Sequence, residues 1–486
     1  MKKSIKKNYI YNLLYQMMVL ILPLITTPYI SRVIGVVGIG IYSYTISISA
    51  IFILFGSLGI SLYGQREIAY IQEQKEKRTK IFWEIFILRL TTTLIALLIY
   101  WLMFVVREQE YSFYYKILAI EIIASIFDIS WFFMGLEEFK KTVIRNMLVK
   151  MISVLLIFVF VKSKEDLVLY YYIYVFSIIL GNISLWIYLP KYIEKISVKS
   201  LNIIRHIRPV VSLFIPQIAI QIYTILDKTM IGSIIEDKSE VGYYDQAQKI
   251  IKMTLSIISA LGTVMMPRIA STYAKGEKNK VKNYMNKSFN LVFFLAFPLI
   301  FGINVIADNF VPWFLGNGYG KVVLLMKIIS PIILFIGLST VTGTQYLLPL
   351  KRQKEFTLSV ILGSVINICF NFLLIGKFKS IGASIGTVIA ELSVTLVQIY
   401  FTRNDFEWEK IIKMAFNYFL AGIIMTIICA LFGNIINRNL EKMLLQIIIG
   451  SITYIMTLFI LKDKFLLEII KKLKINNKQQ AIDKKN

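Results

Sequence analysis

Apolar residues run along this chain in long blocks, separated by short polar and basic intervals. Many blocks reach about 20 residues, the length a helix needs to cross about 30 Å of hydrocarbon. The pattern predicts about 14 spans. The first six are Tyr9–Ile30, Gly38–Leu62, Trp83–Val106, Phe113–Gly135, Val143–Val161 and Val168–Leu189. The next six are Pro209–Ile235, Gln246–Pro267, Ser288–Ile306, Val322–Leu347, Thr357–Ile375 and Ile381–Thr402, and a final pair covers Ile411–Gly433 and Leu444–Leu461. The expected fold class is therefore all-α integral membrane. The connections are too short for a soluble catalytic or nucleotide-binding domain, and no GxxxxGK[ST] sequence occurs. Any chemistry takes place among helices.

Composition and charge sharpen this picture. The chain is 57% apolar, against roughly 45–50% in soluble domains. It carries 54 Lys+Arg, 29 Asp+Glu and a formal charge of +25. With the N-terminus cytoplasmic, about 37 of the 54 basic residues fall in inner connections and about 10 in outer ones. The stretch Gln74-Lys75-Glu76-Lys77-Arg78-Thr79-Lys80 is one such inner loop. Both termini are expected inside, and Tyr9–Ile30 is expected to stay as a helix, being longer than a signal-peptide core. The charge is explained by this bias and by an anionic inner leaflet, so nucleic acid is not an expected partner. Cys369 and Cys429 sit in apolar runs and read as packing residues, and the single His206 excludes a multi-histidine metal site. His206 itself lies in a basic loop and reads as solvated.

The two halves of the chain overlay with an offset of about 200 residues. Arg32, followed by Gly35-Val36-Val37-Gly38-Ile39-Gly40-Ile41-Tyr42, answers to Lys228, Gly232 and Val241-Gly242-Tyr243-Tyr244. Trp131-Phe132-Phe133-Met134-Gly135 before Glu137-Glu138-Phe139-Lys140-Lys141 answers to Gln345-Tyr346-Leu347-Leu348-Pro349 before Lys351-Arg352-Gln353-Lys354-Glu355. Six plus six helices in equal orientation, with a pair added, is a transporter pattern in which repeats rock about a central cavity. The expected organisation is an N-terminal lobe at 1–195, a C-terminal lobe at 196–405, an extra helix pair at 406–465 and a basic cytoplasmic tail at 466–486.

Four segments give the chain a family resemblance. They are Pro28-Tyr29-Ile30-Ser31-Arg32-Val33-Ile34-Gly35, Asp128-Ile129-Ser130-Trp131-Phe132-Phe133-Met134-Gly135-Leu136-Glu137-Glu138-Phe139, Asp227-Lys228-Thr229-Met230-Ile231-Gly232 through Tyr244-Asp245-Gln246-Ala247, and Met266-Pro267-Arg268-Ile269-Ala270. In this order among 14 spans they resemble the polysaccharide-transport family, the Wzx-type flippases of lipid-linked oligosaccharides. That family shares a superfamily with the MATE multidrug transporters and the lipid II flippase. The resemblance implies two six-helix lobes related by pseudo-two-fold symmetry around a lumen. It also implies a bacterial cytoplasmic (inner) membrane location and an undecaprenyl-pyrophosphate-linked oligosaccharide as substrate. Membrane lipids and other polysaccharide-assembly proteins would be the further partners.

Such a lumen must offer cations to phosphates and polar groups to sugars, and an intramembrane charge costs about 2.5–3.5 kcal/mol to insert. Gln217, Gln221, Thr224 and Lys228 form one stripe on the seventh span, at i, i+4, i+7 and i+11. Tyr9, Asn12, Gln16 and Thr27 lie on the matching face of the first span, with Pro23, and both stripes are expected to line the lumen. Arg32 and Lys228 occupy corresponding positions in the halves and lead the cationic candidates, followed by Arg89 and Lys252. Lys116, Lys150, Lys249 and Lys327 are weaker candidates, three of them close enough to a surface to snorkel. The acids Glu121 and Glu391 lie deepest, where removal from water penalises the ionised form, so they are candidates for coupling to H+ or Na+. A permanent pair with a neighbouring cation is the competing reading of both. Glu84, Asp128 and Asp227 complete the acidic set, and Asp128 could equally hold its helix in place. Trp131 reads as a membrane-interface anchor. No cofactor or metal is expected.

The leading function is flipping of the lipid-linked oligosaccharide by alternating access coupled to an ion gradient. A multidrug or cation antiporter shares the architecture but would want a net acidic lumen. A membrane-embedded polysaccharide polymerase or ligase needs an outer loop rich in arginine, and Ala307–Lys321 contains none. No catalytic site is recognisable, so the chain is expected not to be an enzyme.

Overall fold

The computed structural model describes residues 5–107, 110–197, 201–433, 439–468 and 470–471. Within its helices the side chains at 5–16, 19–20, 215–217, 219–220, 222–223, 259–261, 263–264, 433 and 439 are not described. The described residues are predominantly helical, with no strand among them. In hydrocarbon each backbone N–H and C=O must find its partner within its own segment, and helices satisfy that demand. The chain divides into two compact units, Met1–Gly242 and Tyr243–Asn486.

The first unit opens with α1 (Ile5–Ser57), followed by α2 (Ile60–Tyr70), α3 (Lys75–Tyr100), α4 (Ser112–Ile126), the short α5 (Ser130–Gly135), α6 (Phe139–Phe160), α7 (Leu167–Ser184) and α8 (Ile207–Ile234). The second holds α9 (Ser239–Ala274), most of which lies beyond Gly242, then α10 (Lys278–Leu315), α11 (Gly320–Ile329) and α12 (Ile332–Ser339). It closes with α13 (Gln353–Phe378), α14 (Ser380–Phe401), α15 (Trp408–Gly433) and α16 (Asn439–Ile460). The α15–α16 pair packs on α10. The chain divides at Gly242 because α8 packs on α1 and α2.

Eleven helical stretches among the described residues are long and apolar enough to cross a membrane, against the 14 spans read from sequence. Part of the difference lies in α1, which runs through the first two expected spans and leaves helical geometry only at Gly35 (φ 75°, ψ 172°). The glycine stands where the apolar pattern places the gap between them. The seventh and eighth spans fall on α8 and α9, which are helical but include residues whose side chains are not described.

Aromatic residues of the Trp131–Gly135 segment build the core of the first unit. Trp131, Phe132 and Phe133 are buried beside Ile60, Ile68, Phe82 and Leu185. Phe82 meets Phe132 edge-on at 5.0 Å and stacks on Trp131 at 5.7 Å. Trp131 is only 1% exposed, which corrects its reading as an interface anchor. Its ring fits because α2 carries Gly64 opposite, where a Cβ would come within 2.4 Å of the indole.

The sequence repeat reappears as repeated local geometry. After Trp131–Gly135 the chain reverses with Glu137 at φ 58°, and the Glu138 N–H donates to the Phe133 carbonyl at 2.8 Å. In the second unit Lys351 has φ 63°, and the Arg352 N–H donates to the Leu347 carbonyl at 2.9 Å. Each reversal launches a long helix, α6 in one unit and α13 in the other.

His206 is a second correction. It is 2% exposed rather than solvated, because the segment between α7 and α8 is strapped to α3. Arg78 donates to the Tyr192 carbonyl at 3.1 Å, and Thr79 Oγ1 accepts from the Glu194 N–H at 3.0 Å. Fully buried Glu84 accepts from the Asn202 N–H at 2.7 Å, lies 2.8 Å from His206 Nε2 and pairs with Arg205. On its other side, His206 Nδ1 meets Tyr63 Oη at 2.6 Å. Glu84→Ala leaves buried His206 and the Asn202 N–H without their carboxylate partner and is expected to cost about 3 kcal/mol of stability. A thermal melt of the purified protein in detergent checks this, and an unshifted midpoint would contradict it.

Candidate functional site

The first unit contains a cavity of ≈ 470 Å³ bounded by α1, α6, α7 and the α4–α5 connection. Each wall supplies polar groups from positions that share a helix face. On α6, Asn146, Lys150 and Ser153 follow at i, i+4 and i+7, with Arg145 beside them. On α7, Tyr170, Tyr174, Ser177 and Gly181 follow in the same rhythm, with Asn182 next in line. Thr26 and Pro23 face the cavity from α1, and Asp128 and Ser130 from the α4–α5 connection.

Hydrogen bonds fix this lining. Arg145 Nη1 donates to Asn182 Oδ1 at 3.0 Å, and Asn182 Nδ2 donates to the Ala124 carbonyl at 2.8 Å. Arg145 is thereby tied through α7 to α4. Asp128 Oδ1 accepts from the Ser130 N–H at 3.0 Å, starting α5. Its Oδ2 lies 3.8 Å from the Arg89 guanidinium, which also donates to the Asp128 carbonyl at 3.0 Å. Arg89 is 3% exposed and so serves Asp128 from within the packed interior. Asp128 thus faces Arg89, while Arg145 and Lys150 stand on α6 at the cavity wall.

Glu121 lies behind Tyr174. Its Oε1 accepts from Tyr174 Oη at 2.7 Å and its Oε2 from Ser49 Oγ at 2.8 Å. The side chain is 7% exposed, and among the described residues no cation pairs with it. Tyr174 therefore connects a buried carboxyl on α4 to the cavity wall. Around it, Tyr42 packs on Tyr170 at 4.6 Å and Tyr171 at 5.1 Å, and Tyr171 Oη meets Thr45 Oγ1 at 2.5 Å.

The other candidates are dispersed. Arg32 is exposed on α1 and donates to the Pro28 carbonyl of its own helix at 3.3 Å. Lys228 is half-buried on α8, next to Thr229, whose hydroxyl meets Ser47 Oγ at 2.7 Å. Arg32 and Ser47 stand on opposite sides of the Gly35 break. Asp227 is buried, Gln221 is exposed, and Thr224 donates to the Gln221 carbonyl of its own helix. The side chains of Asn12, Gln16 and Gln217 lie outside those described. In the second unit Lys252 is exposed on α9 and Glu391 is buried on α14. Lys327, read as able to snorkel, pairs with Asp308 at 2.6 Å.

The cavity's principal residues, Arg145, Asn146, Tyr170, Tyr174 and Asn182, are absent from the candidates read from sequence. The signal was present, since the i, i+4, i+7 test that singled out α8 also marks α6 and α7.

The long apolar helices make this a membrane protein, and the families and relatives it matches make it a transporter rather than an enzyme. The chain belongs to the polysaccharide biosynthesis protein family, whose model matches residues 5–273. The lipid II flippase MurJ model matches residues 142–455. The "Putative O-antigen transporter" of Escherichia coli (strain K12) is 28% identical over 83% of this chain and 98% of its own length. Among solved structures, lipid II flippase MurJ in an inward closed conformation superposes with a TM-score of 0.75 at 17% identity, covering 95% of this chain and all of that one. An inward-facing multidrug resistance MATE family transporter of the MOP superfamily gives 0.58 at 12% identity, over 81% of this chain and 98% of that one. The fold is thus that of the MurJ and MATE transporters.

Proposed function

We propose that this protein flips an undecaprenyl-pyrophosphate-linked oligosaccharide across the bacterial cytoplasmic membrane by alternating access, driven by an H+ or Na+ gradient. The O-antigen transport named for its relative and the flippase family it matches support the substrate class. The observation that carries the reading is the cavity, which sets Arg145 and Lys150 among Asn146, Asn182, Tyr170 and Tyr174. Guanidinium and ammonium groups answer the diphosphate, and the amides and hydroxyls answer sugar hydroxyls. A cation antiporter would gain nothing from two positive charges at this place. The basic-residue bias assigns both termini and the Gln72–Lys80 segment to the cytoplasm.

Two measurements test this. Purified protein in vesicles should move a fluorescent lipid-linked oligosaccharide between leaflets faster than protein-free vesicles do; equal rates would end the proposal. Single cysteines at Gln74 and Asn317, in a background lacking Cys369 and Cys429, should label from opposite faces of the membrane. Labelling from one face would break the topology.

A further inference from the structure

The cavity lining stops at Thr26 on α1, Ile157 on α6 and Tyr170 on α7. Immediately beyond, the Tyr29 and Phe158 rings meet with centroids 4.5 Å apart, and Tyr29 Oη donates to the Val161 carbonyl at 2.6 Å. Three cations gather around this aromatic pair and the Gly35 break. Lys162 Nζ lies 6.0 Å from the Tyr29 ring and donates to the Phe158 carbonyl. Lys164 lays its stem against the break, its Cε 3.7 Å from where a Cβ on Gly35 would stand. Arg32 occupies the turn that leads into the break and donates to the Pro28 carbonyl at 3.3 Å. All three side chains are exposed.

Helix capping explains only part of this cluster. Cations suit the last carbonyls of a helix, and Arg32 and Lys162 serve there, each spending one of several N–H donors. Lys164 instead opens the helical turn Lys164–Asp166 that leads into α7, where the helix dipole disfavours a positive charge. Of the two carboxylates nearby in sequence, Glu165 is exposed and Asp166 serves the turn, accepting from the Lys162 and Ser163 N–H groups at 2.8 Å each. The basic-residue bias sets this end outward, where only about 10 of the 54 basic residues are expected. Three of them at one place run against that bias.

We infer that Arg32, Lys162 and Lys164 form an outer anion station, which takes the substrate's diphosphate after it passes the Tyr29–Phe158 pair. This rests on the flipping reading above. Lys150 and Lys162 are 12 residues apart on and just past α6, which is about 18 Å along a helix. A diphosphate at Lys150 therefore cannot reach Lys162, and the two places are occupied in turn. Successive sites of moderate strength let a charged ligand leave a cavity that holds it well. The chemistry recognised is a phosphate ester, which an outer-leaflet phospholipid also presents.

Acylation of the purified full protein by a water-soluble reagent, read by peptide mapping, separates these sources. Methyl glucosyl diphosphate should protect Lys162 and Lys164 at least about fivefold. Glycerophosphoglycerol, the soluble headgroup of phosphatidylglycerol, should protect neither at the same concentration. Lys162→Gln/Lys164→Gln should slow flipping in vesicles by about tenfold and leave protection of Lys150 by the diphosphate unchanged. Lys162→Arg/Lys164→Arg, which keeps the charge, should recover most of the rate. Equal protection by both compounds, protection by neither, or a wild-type rate in the Gln variant would overturn the station and leave the flipping reading intact. Failure of the wild-type protein to flip a lipid-linked oligosaccharide would overturn the flipping reading instead, and the protection pattern would still judge the station.

Discussion

Flipping by the double variant Arg145→Ala/Lys150→Ala is expected to fall by about 100-fold or more, with insertion and yield maintained. Hydrogen bonds to charged groups contribute about 1.5–3 kcal/mol each, and every 1.4 kcal/mol is tenfold. Both side chains sit on α6 against the cavity rather than in the aromatic core around Phe82, so the chief cost to the fold should be the Arg145–Asn182 hydrogen bond. Arg145→Lys should recover part of the rate, since it keeps charge but loses the planar fork that reaches Asn182. The transport assay in vesicles measures all three. The parallel variant Arg32→Ala/Lys228→Ala tests the pair favoured by the repeat. A normal rate in the α6 variant, with loss in the Arg32/Lys228 variant, would move the headgroup site to the positions indicated by sequence.

The second large effect concerns energy input. Glu121→Gln is expected to keep binding of the lipid-linked sugar and to lose the acceleration of flipping by an imposed pH or sodium gradient. Ionised Glu121 accepts from both Ser49 and Tyr174, whereas a protonated carboxyl becomes a donor and forces one hydroxyl to turn. Because Tyr174 borders the cavity, that exchange reaches the substrate space within one hydrogen bond. Flipping rates with and without the gradient decide the matter. A variant that keeps the full response would remove Glu121 from coupling and leave Glu391 as the remaining deep acid.

Legibility in the sequence follows the range of each interaction. Spans are local: about 20 consecutive apolar residues suffice, and even the Gly35 break falls where the apolar pattern is interrupted. The polar stripe Asn146–Lys150–Ser153 is equally local. What escapes is partnership between distant segments. Glu121 draws its hydroxyls from Ser49 on α1 and Tyr174 on α7, so no window around residue 121 displays the set. His206 looks solvated among basic neighbours because its partners, Tyr63 and Glu84, lie on α2 and α3. Trp131 looks like an interface anchor until the small Gly64 that admits its ring is placed opposite. Composition cannot show which charge finds which partner.

The two cations on α6 also bear on voltage. A diphosphate esterified at both ends carries two ionised oxygens, which Arg145 and Lys150 would balance. The loaded and the emptied cavity then differ by two charges, and each full charge moved across 100 mV is worth about 2.3 kcal/mol. The membrane potential would thus act differently on the step that carries the sugar and on the return of the vacant protein.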